Sequence, residues 1–259
     1  MADRLPAVFL GHGNPMHALA HNDYTEAWRR LGEAMPQPKA ILAISAHWYH
    51  GERSVTVSVA PRTLHDFGGF PPELYQIRYP APGDPALARK VQELLGPPPV
   101  KPDDVWGFDH GTWSVLRHMY PNADIPVVQL SMDGSQAARA HFEMGRKLAP
   151  LRDEGILILG SGNLIHNLHA YAWDQPLREA YDWAARFENR AKELMLAGDH
   201  TALIEYEALG RDATLSIPTP EHYLPLLYVL GAAQPGESIS FPVTGIEGGS
   251  VSMLAVQVG

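Results

Sequence analysis

The chain has 259 residues, 45% of them hydrophobic and 19% charged, a composition that supports a packed core and argues against disorder. Lys and Arg number 20 against 29 Asp and Glu, and the resulting charge of −9 argues against a nucleic-acid surface. There is no Cys, which excludes disulfides, thiolate nucleophiles, iron–sulfur clusters and Cys-ligated zinc, and leaves 13 His as the nitrogen ligands available to a transition metal.

In chain order, residues 7–10 (AVFL) form a short apolar run closed by Gly11. Residues 24–35 follow with Ala27, Trp28 and Leu31 at helical spacing. Residues 40–45 (AILAIS) and 54–60 (SVTVSVA) read as strands, and 85–95 as a helix. The Pro-rich stretch 96–102 reads as a surface loop. Then come a helix at 113–119, a strand at 125–130 (IPVVQL), a helix at 135–148 and a strand at 156–160 (ILILG). Helices are predicted at 177–197, 201–209 and 220–230, the last with Thr219 as N-cap and Pro220 at its first position. Residues 251–258 (VSMLAVQV) complete the strand set. Nearly continuous apolar runs are strands buried on both faces. Their alternation with helices predicts a three-layer α/β/α sandwich around one central, mixed sheet, with residues 1–259 as a single domain.

No apolar run reaches the ~20 residues a membrane-spanning helix needs. The first residues, MADRLPAVFLGHG, lack a secretory core and cleavage site, so the expected location is the cytoplasm.

Four His sit at the ends of predicted elements. His12 follows the first strand between two Gly, His47 follows the second, and His166 follows the fifth after Gly160-Ser161-Gly162-Asn163. His222 lies in the first turn of the helix predicted from Pro220. In open α/β sheets ligands bind beyond the carboxyl ends of the strands, so these His can converge on one crevice. The glycines permit close backbone approach and positive φ. His110, in Trp106-Gly107-Phe108-Asp109-His110-Gly111-Thr112-Trp113, suits a pocket for a flat, partly polar ligand. His65 ranks below these, and His17, His21, His50, His118, His141, His169 and His200 read as surface or structural. Neither a Gly-x-Ser-x-Gly elbow nor a His-Glu-x-x-His helix is present.

Seven segments together carry a resemblance: Gly11-His12-Gly13-Asn14-Pro15, Ser45-Ala46-His47-Trp48, the stretch from Thr63 to Pro71, Tyr79-Pro80-Ala81-Pro82-Gly83-Asp84-Pro85, Gly107 to Trp113, Gly160 to Asn167, and Pro220-Glu221-His222-Tyr223. In this order they resemble the class III extradiol ring-cleavage dioxygenases, and within them the 4,5-DOPA extradiol dioxygenase group. The resemblance implies one divalent metal per chain at His12, His47 and His222. It makes His166 an acid–base residue and a possible fourth ligand, and His110 a residue that contacts substrate. Thr112 and Tyr223 are taken as further substrate contacts, with Arg62 and Arg78 beside Tyr223 as candidates for a substrate carboxylate. Iron(II) is expected for activity and zinc as the metal bound on purification, since zinc has no redox step. The implied substrates are a small catechol and dioxygen, and the product is a muconate semialdehyde. Neither a nucleic-acid nor a membrane partner is expected. The alternative from another reaction class is a zinc-dependent hydrolase of an amide or ester using the same three His.

Overall fold

The apolar runs become the strands of one sheet, and the amphipathic segments pack on its two faces. The computed structural model describes residues 4–175 and 179–259. Strands β1 (Ala7–Gly11), β2 (Ala40–His50), β3 (Ser54–Thr56), β4 (Lys101–Asp103), β5 (Val127–Asp133) and β6 (Ile156–Gly162) occupy the first two thirds of the chain. Strands β7 (Ile239–Val243), β8 (Ile246–Glu247), β9 (Val251–Ser252) and β10 (Ala255–Val258) close it. The eight-stranded sheet has the order β4-β3-β5-β2-β6-β1-β10-β7, and β8 and β9 pair apart from it. The central strands β5, β2, β6 and β1 are parallel to their neighbours in that group, while β10 and β7 add antiparallel and β3 meets β5 antiparallel. The sheet is therefore mixed.

The period-2 alternation of the strands sorts side chains into two cores. Phe9, Leu42, Ile44 and Ile158 face one, Val8, Leu10, Ile41 and Leu159 the other. Helices α1 (Asp23–Ala34), α2 (Pro72–Tyr75), α3 (Pro85–Leu95), α4 (His110–Met119), α5 (Ala138–Leu148), α6 (Pro150–Asp153), α7 (Asp182–Leu196), α8 (His200–Ile204), α9 (Arg211–Ser216) and α10 (Leu224–Gly231) cover them. Trp28 and Leu31 of α1 and Trp113 and Leu116 of α4 close the second core, whereas α3, α5, α7 and α10 close the first. The result is the expected three-layer sandwich.

Local chemistry sets the helix starts. Asn22 Oδ1 accepts from the Thr25 amide at 3.0 Å while Thr25 Oγ1 accepts from the Asn22 amide at 3.0 Å, a capping box that opens α1. Asp109 caps α4 through the Thr112 amide at 3.1 Å, so that helix begins at His110, three residues earlier than its apolar spacing indicates.

Several boundaries differ from the sequence reading. The segment 96–102 is not wholly loop, because Lys101–Asp103 pairs with β3 at the sheet edge, the position where a strand tolerates Pro102. β3 ends at Thr56 rather than at residue 60. Strand β7 and helix α9 carry too few core residues to stand out in the pattern. The segment 251–258 divides, with β9 leaving the sheet to pair with β8. Helix α7 begins at Asp182, and of the helix expected from 177, Leu177 and Arg178 lie outside the described residues. Helix α10 begins at Leu224, not Pro220; the Tyr223 and Leu224 amides bond back to the Pro220 carbonyl at 2.9 and 3.0 Å, which makes 220–223 a separate turn and leaves Thr219 without a capping role. Among the described residues no helix is long and apolar enough to cross a membrane.

Candidate metal centre

The centre forms where β1, β2 and β6 end side by side. β1 and β6 are paired through Gly11 and Gly162, and the His12 amide donates to the Gly162 carbonyl at 3.0 Å as the chain leaves β1. β2 does not stop before His47. It runs to His50, and its register against β5 jumps from Ile44–Leu130 to Tyr49–Met132, so five steps along β2 answer two along β5. This bulge re-aims Ser45 to Trp48 and carries His47 toward His12. His222 arrives on the 220–223 turn, whose His222 carbonyl accepts from the Asn163 amide at 2.9 Å. That turn docks because position 162 is glycine: a Cβ there would lie 2.1 Å from the His222 oxygen. Gly160 and Gly162 thus serve close approach and not positive φ, whereas Gly13 does adopt a φ of +60°.

One ring nitrogen each from His12, His47 and His222 lies within 4.8 Å of the other two. The His12 and His47 Nε2 atoms are 3.1 Å apart. Two nitrogens about 2.05 Å from one tetrahedral ion would be roughly 3.3 Å apart, so the spacing matches shared coordination. The ring protons agree. Ser161 Oγ donates to the Gly111 carbonyl at 2.5 Å and so accepts from His12 Nδ1–H at 3.0 Å. Asp66 Oδ2 lies 3.4 Å from His47 Nδ1, and Glu221 Oε1 accepts from His222 Nδ1 at 3.2 Å. The Nδ1–H groups of His12 and His222 are thus hydrogen-bonded and leave Nε2 its lone pair, while His47 Nδ1 faces the Asp66 carboxylate. Burial first, and the neighbouring imidazoles second, push the pKa of all three well down, so they are neutral donors. Three neutral imidazole nitrogens grouped this closely suit a divalent cation.

His166 stacks on His222 with ring centroids 3.5 Å apart and planes 11° from parallel, and burial lowers it to about 4. His110 sits 3.9 Å from His47, centroid to centroid. Asp66 takes both the His110 amide, at 2.8 Å, and His110 Nδ1–H, at 3.0 Å. Burial alone would raise the Asp66 carboxyl, but the His110 hydrogen bond and the two imidazoles hold it below its usual range. Asp66 thus links His47 and His110.

A cavity of about 280 Å³ opens over the centre, and His12, His47, His110, His166 and His222 all line it. Phe70, Leu168, Tyr171 and Trp173 give it apolar and aromatic walls, and Glu247 adds a carboxylate. Two expected substrate contacts are elsewhere. Thr112 is fully buried, its hydroxyl donating to Gln129 Oε1 at 3.0 Å. Tyr223 is 1% exposed and donates to the Leu203 carbonyl at 2.7 Å, turned into the core below the cavity. The turn geometry points His222 and Tyr223 to opposite sides. Arg62 and Arg78 are also outside the lining, and Arg78 donates to the Tyr75 and Ile77 carbonyls. In the loop that carries His65, it is Asp66 that reaches the centre, while His65 Nε2 donates to the Ile77 carbonyl at 3.1 Å. Ser161, Asp66, Glu247, Tyr171 and Trp173 were not singled out by the sequence. Only Asp66 and Ser161 lay within the quoted segments.

Comparison with known proteins fits this architecture. Residues 6–245 match the family described as the catalytic LigB subunit of aromatic ring-opening dioxygenase. The chain belongs to the LigB family. A 4,5-DOPA dioxygenase extradiol from Escherichia coli (strain K12) is 54% identical, over 99% of this chain and 95% of the relative. One from Beta vulgaris is 40% identical, over 87% and 85%. The crystal structure of an uncharacterized protein from Escherichia coli K12 superposes with a TM-score of 0.87 at 50% identity, covering 99% of this chain and 100% of that one. As a LigB-family protein the chain is a ring-opening dioxygenase, and the hydrolase alternative is not favoured.

Proposed function

We propose that this LigB-family enzyme opens the ring of DOPA-like catechols with dioxygen, as an extradiol enzyme of the cytoplasm, using one iron(II) ion held by His12, His47 and His222. The observation that carries the reading is the set of three neutral imidazoles grouped within 4.8 Å of one another, with the Nδ1 of His12 and His222 hydrogen-bonded and that of His47 facing Asp66. The names of the relatives support DOPA as the substrate type. Bound there, the metal would lower the pKa of the catechol hydroxyls and would be a redox partner for dioxygen, a role open to iron(II) and closed to zinc. Zinc is the metal expected on purification, because imidazole sites hold it more tightly than iron(II).

The protein's own groups do the rest. Phe70, Tyr171 and Trp173 line the cavity around a flat ring and limit water. His166, uncharged and facing the cavity, accepts a proton from a catechol hydroxyl and returns one later. His110, with Nδ1–H committed to Asp66, presents Nε2 to the substrate. There it hydrogen-bonds a catechol oxygen and fixes the ring's orientation.

Iron-loaded protein mixed with L-DOPA in air tests the reading. Dioxygen uptake with a yellow product that has gained both oxygen atoms is expected. Ester hydrolysis without dioxygen uptake would overturn it.

A further inference from the structure

The β8–β9 hairpin and the loop after β6 are tied into one wall of the cavity. The Asn167 amide donates to the Ser250 carbonyl at 3.1 Å, Ser252 to Ile165 at 3.0 Å and Ala172 to Gly248 at 2.9 Å. Glu247 lines the cavity from this wall, its side chain 15% exposed. Its Oε2 accepts from His17 Nε2 at 3.0 Å. His17 Nδ1 in turn accepts from Asn22 Nδ2 at 3.2 Å, and the Asn22 amide is oriented by its Oδ1, which caps α1. With Nδ1 facing the Asn22 amide, His17 donates through Nε2–H and fixes the orientation of the Glu247 carboxylate. The other carboxylate oxygen has no hydrogen-bond partner among the described residues.

Two aromatic rings share the cavity lining with this carboxylate. Tyr171 packs on the residue after Glu247, where a Cβ at Gly248 would lie 2.3 Å from the ring, and Trp173 sits 4.7 Å from Tyr171, centroid to centroid. Among the described residues, neither Lys nor Arg lines the cavity, and Glu247 is the only acid that does. A fixed carboxylate in a cavity lined by aromatic rings attracts an ammonium and repels a carboxylate.

We propose that Glu247, oriented by His17 in a cavity that Tyr171 and Trp173 also line, is a specificity residue that binds a cationic amino group on the substrate's side chain, so that the enzyme selects amine-bearing catechols, L-DOPA among them, over catechols whose side chain carries a carboxylate and no amine. This rests on the ring-opening reading for its substrate, but its test is separable. Calorimetry on zinc-loaded protein, which cannot turn over, measures binding of dopamine, methylcatechol and dihydrocaffeate: one cation, one neutral and one anion on the same ring. Dopamine should bind the parent most tightly and dihydrocaffeate least. Glu247→Gln should weaken dopamine on the order of 10–100-fold, leave methylcatechol within about twofold and improve dihydrocaffeate. Trp173→Leu, at an exposed position, should weaken dopamine by about two- to fivefold more than it weakens methylcatechol. Equal binding of the three ligands by the parent, or an equal loss on all three in Glu247→Gln, would overturn the proposal. The same panel by oxygen uptake on iron-loaded protein separates the two ideas. Uptake without charge selectivity defeats the Glu247 subsite alone, and charge-selective binding without uptake defeats the ring-opening reading alone.

Discussion

His12 Nε2 and His47 Nε2 face each other at 3.1 Å, while His12 Nδ1–H is committed to Ser161 and His47 Nδ1 faces the Asp66 carboxylate. Two lone pairs at that distance repel, and a shared cation removes the repulsion. His12→Ala, His47→Ala and His222→Ala should each lose most of the bound metal while keeping the parent's circular dichroism. A chelator should lower the parent's Tm and leave those of the variants nearly unmoved, because only the parent has binding energy to lose. Ser161→Ala should retain the metal but bind it about 10–100-fold more weakly, the usual cost of removing a group that orients a ligand. Full metal occupancy in all three His variants would refute shared coordination.

Asp66 holds His47 from behind and His110 by both amide and ring. Asp66→Asn should therefore weaken metal binding about 10–100-fold and also lower turnover at saturating metal. His110→Ala should keep the metal and lose turnover of catechols. Parent-level turnover of every catechol in His110→Ala would return His110 to a structural role.

The close approach at position 162 has a sharp consequence. A Cβ there would lie 2.1 Å from the His222 carbonyl, a backbone atom that cannot swing aside. Gly162→Ala should displace the 220–223 turn and lose metal as completely as His222→Ala. Gly51→Ala, where nothing lies within 4 Å, is the matched control and should retain both metal and Tm. Metal retention in Gly162→Ala would show that the turn can relocate without moving His222.

Asp109 is fully buried and receives Ser45 Oγ at 2.7 Å, the Thr112 amide at 3.1 Å and Gln129 Nε2. Asp109→Ala leaves these donors unpaired and should cost about 3 kcal/mol, read from denaturant unfolding. Burial, with the Asp66 charge second, pushes the Asp109 carboxyl up to about 6. Its folded pKa thus exceeds its unfolded value near 4. The folded state binds more protons in that window, so this group's contribution is fullest below pH ~4 and is lost as pH rises to about 6. Asp109→Asn should remove that segment of the stability–pH curve. An unchanged slope there would mean that Asp109 stays ionised throughout.

The central strands were legible because β1, β2 and β6 are buried on both faces and therefore read as unbroken apolar runs. The His at their ends were legible for a topological reason, since chain leaving parallel strands has to gather at one edge. What escaped was set by contacts distant in sequence. β4 and β7 are edge strands with little to bury, and the hairpin carrying Glu247 is two residues deep on each side. Thr112 and Tyr223 looked like site residues because they neighbour His110 and His222 in sequence. Adjacent side chains in a helix or turn point in different directions, and both went into the core. His17 carries no signal of its role in the sequence, because its partner Glu247 lies 230 residues away.

His166 differs from the three grouped imidazoles in reaching the centre by stacking: its ring lies flat on His222 at 3.5 Å, and its backbone is held by the Ser216 carbonyl at 2.9 Å and a bridge to Val251. Removing its side chain should leave His12, His47 and His222 in place. His166→Ala is therefore expected to keep its metal and lose on the order of 10²–10⁴ in turnover, the scale of a positioned proton-transfer group. His166→Gln should be similarly impaired, because an amide can hydrogen-bond a catechol hydroxyl but cannot take its proton. Metal analysis and single-turnover oxygen uptake on the two variants separate the roles. Loss of metal in His166→Ala would make the residue chiefly a ligand. Retained metal with near-parent turnover would remove it from proton transfer and leave His110, held by Asp66 across the same cavity, as the group to test next.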